Sequence, residues 1–125
     1  ILSAENFDTS LAEGVMLLTP YVPGSNDITT EFTEKYIADY GIEPNQFAAD
    51  AYDGMYAIAA ACEHAGVTPD MSASDICDLL KTAFTEITVE GVTGTITWEA
   101  SGEPNKEPKA VVISDGVYVD PNSVA

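Results

Sequence analysis

Residues 44 to 66 read as one helix with apolar residues on more than one side, and such a helix needs partners on more than one side. Pro44 and Asn45 start it, with Asn45 as a good N-cap, and Gly66 takes the left-handed position past its end. Ala48, Ala51, Tyr52, Met55, Ile58, Ala59 and Cys62 recur at three- and four-residue spacing, which groups them on one face. A second face is nearly all small, Asp50, Gly54, Ala57 and Ala61, so a neighbour can approach closely there as well. The expectation is a central, largely buried helix.

The surrounding chain offers little to bury it. Gly14 to Thr19 is a short continuous apolar run that fits a buried strand. Pro20-Tyr21-Val22-Pro23-Gly24 breaks regular structure and favours extended backbone, as in a connector between two bodies. A first helix starts at Ser25, Asn26 or Asp27 and runs to about Tyr40, where Gly41 stops it. Its apolar stripe is Ile28, Phe32, Tyr36, Ile37 and Tyr40. A third helix, capped at Ser74-Asp75, carries Ile76, Leu79, Leu80, Ala83, Phe84 and Ile87.

From Val89 the period shortens. Gly91 to Gly94 reads as a turn and Thr95 to Trp98 as a strand; Ala110 to Ser114 and Val117 to Val119 pair across Asp115-Gly116. Residues 1–13 read as a solvated lead-in and 120–123 as an unstructured end. The fold class is α/β: a strand, three helices and a C-terminal β-hairpin. One buried strand cannot cover three amphipathic helices, so more sheet is expected than this chain supplies.

A chain of 125 residues with 46% apolar content suits one domain. Its longest apolar run, Ala57 to Cys62, falls far short of the ~20 residues that span a bilayer. The start, Ile1 to Asn6, has neither a basic nor an apolar leader region, so no signal peptide is expected in this segment. Twenty-one acidic residues against four lysines and no arginine give a net charge of −17. Nucleic acid is excluded as a partner because almost nothing is present to neutralise phosphates, and an anionic membrane surface is disfavoured for the same reason.

Catalytic and metal-binding patterns are missing. His64 is the only histidine, and its place in the last turn of the central helix suits a helix-dipole role. No calcium loop, C-x-x-C or G-x-S-x-G elbow occurs. Asp50 and Asp53 are candidate paired carboxylates, but their position early in a helix is expected to account for them. Cys62 and Cys77 lie near the end of one helix and early in the next: either a disulfide across the turn or two free thiols. Neither an enzyme activity nor a cofactor is expected.

Three stretches together carry a resemblance. They are Ala12-Glu13-Gly14-Val15-Met16-Leu17-Leu18-Thr19-Pro20-Tyr21-Val22-Pro23; Phe32, Tyr36 and Tyr40-Gly41; and Pro44, Phe47-Ala48 and Ala51-Tyr52-Asp53-Gly54. Gly91-Val92-Thr93-Gly94 through Trp98-Glu99 with Gly102-Glu103, and Asp115-Gly116-Val117-Tyr118-Val119, extend it over about residues 12–119. The chain resembles the C-terminal third of type I periplasmic substrate-binding proteins, the branched-chain amino-acid receptors of ABC importers foremost.

The resemblance implies a partial domain of a two-lobed receptor, with hinge crossings near 19–24 and 100–110. The ligand would be an amino acid or similar small polar solute, the partner a transporter permease, and the setting extracellular or periplasmic with a lipoprotein anchor. Tyr21 and Tyr52 are the residues it places near a ligand cleft. It also implies that uncovered helix faces drive a homodimer or domain swap. The rival readings are a ligand-sensing receptor ectodomain, an acidic secreted structural or interaction module, and an enzyme whose catalytic set lies elsewhere.

Overall fold

Strands near the two ends of the described residues meet in one sheet, and between them lie three helices and a second small sheet. In the computed structural model, which describes residues 6–124, β1 (Met16–Thr19) pairs antiparallel with β5 (Lys109–Ser114), and β5 pairs with β6 (Val117–Val119). The intervening residues supply α1 (Asp27–Tyr40), α2 (Gln46–Ala65) and α3 (Ala73–Ala83). A second sheet follows, β2 (Val89–Gly91), β3 (Gly94–Trp98) and β4 (Pro104–Asn105), in sequential antiparallel order. The segment Ile1 to Glu5, read above for a leader, lies outside the described residues. Among those described, no helix is long and apolar enough to cross a membrane.

The helix ends follow from their side chains. Asn26 accepts from Thr29 N while Thr29 Oγ1 accepts from Asn26 N, a reciprocal capping box that satisfies two otherwise orphaned donors. Asn45 caps α2 through Ala48 N, and Gly66 closes it in the left-handed region at φ 65°. The third helix starts two residues earlier than expected: Ser72 is its N-cap, and Asp75 accepts the Ser72 hydroxyl in return. His64, in the last turn of α2, reaches Glu86 at 2.9 Å and ties the end of α2 to the segment after α3.

Burial on α2 reverses the expected order of its faces. The buried residues are Ala49, Asp53, Ala57 and Ala61, a strict four-residue repeat. The larger apolar face is bare, with Met55 68% and Tyr56 57% exposed. Small side chains win because α3 and β2 pack on α2, and only a face without bulk lets backbones come that close. On α3 only Ala83 is buried; Ile76, Leu80, Phe84 and Ile87 are half-buried, and Leu79 is exposed. Phe84 meets Trp98 edge-on at 5.1 Å, which closes the helical body against β3.

The sheet of the two ends has one covered face and one bare face. Val111 and Ile113 are buried, whereas Met16 and Leu18, two residues apart on the opposite face of β1, are 62% and 67% exposed. Instead of a fully buried strand, β1 is an edge strand with one solvated apolar face. Asp115 and Gly116 both have positive φ, 50° and 77°, which suits the two-residue turn between β5 and β6.

Residues 9–12 and 121–123 are more ordered than expected. Residues 9–12 form a 3₁₀ turn capped by Asp8, Gly14 N donates to Ile113 O, and Glu13 accepts from Asp115 N. Residues 121–123 form a second turn, capped by Asp120 through Asn122 N. Cys62 is half-buried and Cys77 exposed, and both are free thiols.

Candidate functional site at the two crossings

The chain passes between its two bodies twice, and the strand register sets the crossings side by side. The last rung of the β1–β5 ladder is Thr19↔Lys109, so residues 20–26 leave the sheet where residues 106–108 enter it. The mouth between them is a small cavity of about 170 Å³ lined by Leu18, Thr19, Pro20, Lys106, Glu107 and Pro108.

On the first crossing Tyr21 is the anchor. Its ring is 4% exposed and packs with Phe32, Ala49 and Val92, meeting Phe32 edge-on at 5.7 Å. Thr33 Oγ1 donates to the Thr29 carbonyl at 2.6 Å, which leaves it to accept the Tyr21 hydroxyl at 2.5 Å. One residue before the prolines, the Thr19 hydroxyl lies 3.3 Å from Gln46 Oε1, at the start of α2. The side chain of Tyr21 therefore has no surface left for a ligand within this chain; it fastens the crossing to the helices.

The second crossing is held by charge. Lys106 Nζ donates to Asp50 on α2 at 2.7 Å and to Thr93 Oγ1 at 3.1 Å. Thr93 in turn donates its backbone N–H and its hydroxyl to Asp53 Oδ2, at 2.8 and 2.5 Å, while Val92 N donates to Asp53 Oδ1 at 2.8 Å. Asp53 is 2% exposed, so a buried carboxylate on α2 caps the two-residue turn between β2 and β3. Gly91 is required for this: a Cβ built there would fall on the Asp53 carboxylate.

These two aspartates correct the sequence expectation. Neither lies in the first turn of α2, which holds no acidic residue, and the dipole effect fades within that turn. Asp50 and Asp53 are linked through Thr93 and Lys106 as structural ligands of a hairpin and a crossing. The available signal was the pair of glycines bracketing Val92-Thr93, since a turn with two free N–H groups calls for an acceptor. That turn joins two antiparallel strands, β2 and β3.

Tyr52 sits on the other side of Phe32, with ring centroids 4.8 Å apart, and stacks at the same distance on Tyr56. It lines a groove of about 440 Å³ between α1 and α2 with Phe32, Tyr36, Tyr40, Met55 and Ala48. Phe32 thus lies between the two tyrosines singled out from sequence; one faces the core and the other this groove. The hydrogen bond that Tyr52 donates to Tyr56, helped by burial, pushes its pKa up to about 12. Burial likewise raises that of Tyr21.

A folded-state pKa above the unfolded value near 10 favours the protonated phenol. This contribution to stability is complete below pH 10 and is lost as pH rises toward 12. Spectrophotometric titration should resolve late-ionising phenols, and Tyr52→Phe should remove the last of them. Ionisation of all tyrosines together near the unperturbed value would contradict this.

The described residues thus form a three-stranded end sheet and a body of three helices with a second small sheet, linked by two adjacent crossings. Sequence comparison gives the class: a profile of the periplasmic binding protein family matches residues 5–114. The chain belongs to that family, in its type I branch. A putative branched-chain amino acid ABC transporter protein from Rhodospirillum rubrum is 27% identical, with TM-score 0.65 over 90% of this chain and 34% of that one. A leucine-binding protein from Thermotoga maritima is 24% identical, with TM-score 0.65 over 90% of this chain and 33% of its own.

A solute-binding protein from R. palustris in complex with benzoate is 19% identical, with TM-score 0.71 over 88% of this chain and 29% of its own. The chain thus spans about a third of the length of the solved structures it matches. No curated protein matches it. Among the described residues no group of three or more metal-binding side chains occurs.

Proposed function

We propose that the chain serves as the C-terminal part of a receptor that delivers a small polar solute, foremost a branched-chain amino acid, to an ABC importer. The observation that carries this reading is the Thr19↔Lys109 rung, which sets both crossings at one corner and makes them a natural pivot. Residues 19–24 and 100–110 are the proposed hinge segments. The receptor works by closing its lobes over the solute, which is buried and then presented to a permease; no bond is made or broken. Its setting is periplasmic or extracellular, with a lipid anchor.

Tyr52 is proposed to face the cleft, because its half-exposed ring lines the open groove between α1 and α2. Tyr21 acts beneath it, fixing the crossing. The Rhodospirillum relative, at 27% identity, supports amino acids as the first ligands to try. Titration calorimetry of the full-length gene product against leucine, isoleucine, valine and benzoate tests the assignment. Saturable heat with an aliphatic amino acid is expected, and none is expected with the isolated 125-residue chain. Binding of benzoate alone, or of none of the four, would overturn the amino-acid reading.

A further inference from the structure

The first crossing is fastened along its length, by the Thr19 hydroxyl near Gln46 and by the buried Tyr21. Among the described residues the second is fastened at Lys106, whose ammonium bridges Asp50 and the Thr93 hydroxyl with its side chain 21% exposed. Between Lys106 and the first rung at Lys109 stand just Glu107 and Pro108, and these line the small cavity between the crossings. Pro108 lacks an N–H, and no hydrogen bond within the ladder constrains this pair.

We propose that Lys106 is a latch that sets the pivot between the two bodies: while it holds Asp50 and Thr93, bending is confined to Glu107-Pro108 and the Leu18–Thr19 strand end. Released, the free length of the second crossing grows back to β4, and the bodies gain freedom to swing. The latch extends into the core, because the same Thr93 hydroxyl that accepts from Lys106 donates to the buried Asp53. Movement of the crossing is thereby coupled to the β2–β3 turn and to α2, the helix that carries Tyr52. This rests on the two-lobed reading above and adds to it the residue that limits the swing.

A part-buried pair of this kind shifts a population by a factor of about five. The test is a double electron–electron resonance distance between spin labels on Cys77, on α3, and on Val117→Cys, at the far edge of the end sheet. The background is Cys62→Ala, and labelled protein is diluted with unlabelled chain so that only intramolecular distances are read. Lys106→Met and Asp50→Asn should each broaden the distribution about twofold relative to the parent, since the freed segment samples more orientations. Lys106→Arg, which keeps the charge and a donor, should restore most of the parent width.

Pro108→Gly separates the two claims, because it loosens the hinge without touching the latch. If Pro108→Gly broadens the distribution and Lys106→Met leaves it unchanged, the hinge stands and the latch is overturned. If neither variant broadens it, the bodies do not swing here and the two-lobed pivot fails together with the latch. Circular dichroism of each variant confirms that the helices remain.

Discussion

Asp53→Ala is expected to cost about 3–5 kcal/mol, a large part of the roughly 5–15 kcal/mol that holds a domain of this size together. The carboxylate satisfies three donors at once: the backbone N–H groups of Val92 and Thr93 and the Thr93 hydroxyl. Val92 and Thr93 are both buried, so removing the acceptor leaves those donors without water to replace it. Asp53→Asn should fall between, because one oxygen still accepts from Val92 while the amide donors face the Thr93 N–H. Gly91→Ala should approach the Asp53→Ala loss from the opposite side, by driving a methyl into the carboxylate.

Urea unfolding followed by far-ultraviolet circular dichroism gives the numbers. Agreement between Asp53→Ala and Gly91→Ala, with a double variant costing little more than either, marks one shared contact. An Asp53→Ala loss under about 1 kcal/mol would mean the turn is held by something else.

Self-association that strengthens with salt is the second large effect expected. The bare faces are apolar: Met55, Tyr56 and Ile58 on α2, and Met16, Leu18 and Val117 on the end sheet. Burying such surface contributes about 25 cal/mol per Å², yet each copy carries a net charge of −17. Repulsion between copies is screened as the Debye length falls from ~30 Å at 0.01 M salt to ~3 Å at 1 M. Light scattering should therefore find a dimer or larger species whose dissociation constant drops about tenfold or more over that range. Met55→Glu with Ile58→Glu should return the chain to monomer while leaving the helix signal unchanged. A monomer at every salt concentration would show that these faces do not associate.

The parts legible in the sequence are those set by local chemistry. Asn26, Asn45, Gly41 and Gly66 mark helix ends through backbone donors, acceptors and left-handed positions that belong to single residues. The β5 strand and the Asp115-Gly116 turn were legible for the same reason. Which face of α2 is buried was not, because apolar content predicts burial only where a partner exists. The partners present, α3 and the β2–β3 hairpin, demand closeness, and so the small residues Ala49, Ala57 and Ala61 go inside. Asp53 was misread on this account: a charge on a helix looks solvated until the turn that needs it, some forty positions downstream, is brought alongside.

Tyr21 shows a similar limit. Its flanking prolines announced a connector, and the connector exists, but the ring serves packing because Phe32 and Ala49 lie beneath it. Tyr52 keeps its face because, among the described residues, nothing reaches over the groove between α1 and α2.

The register of the end sheet also dictates an order of events during synthesis. Asp115 N donates to Glu13 from 102 positions downstream, and the whole β1–β5 ladder joins segments of similar separation. A ribosome must therefore release the final strands before the β1–β5 ladder can form. The helices, whose contacts are local, form meanwhile and shorten the loop whose closure entropy opposes the ladder. Until the ladder forms, Met16-Leu17-Leu18 lacks its β5 partner, which makes this apolar strand the segment most exposed to non-native pairing.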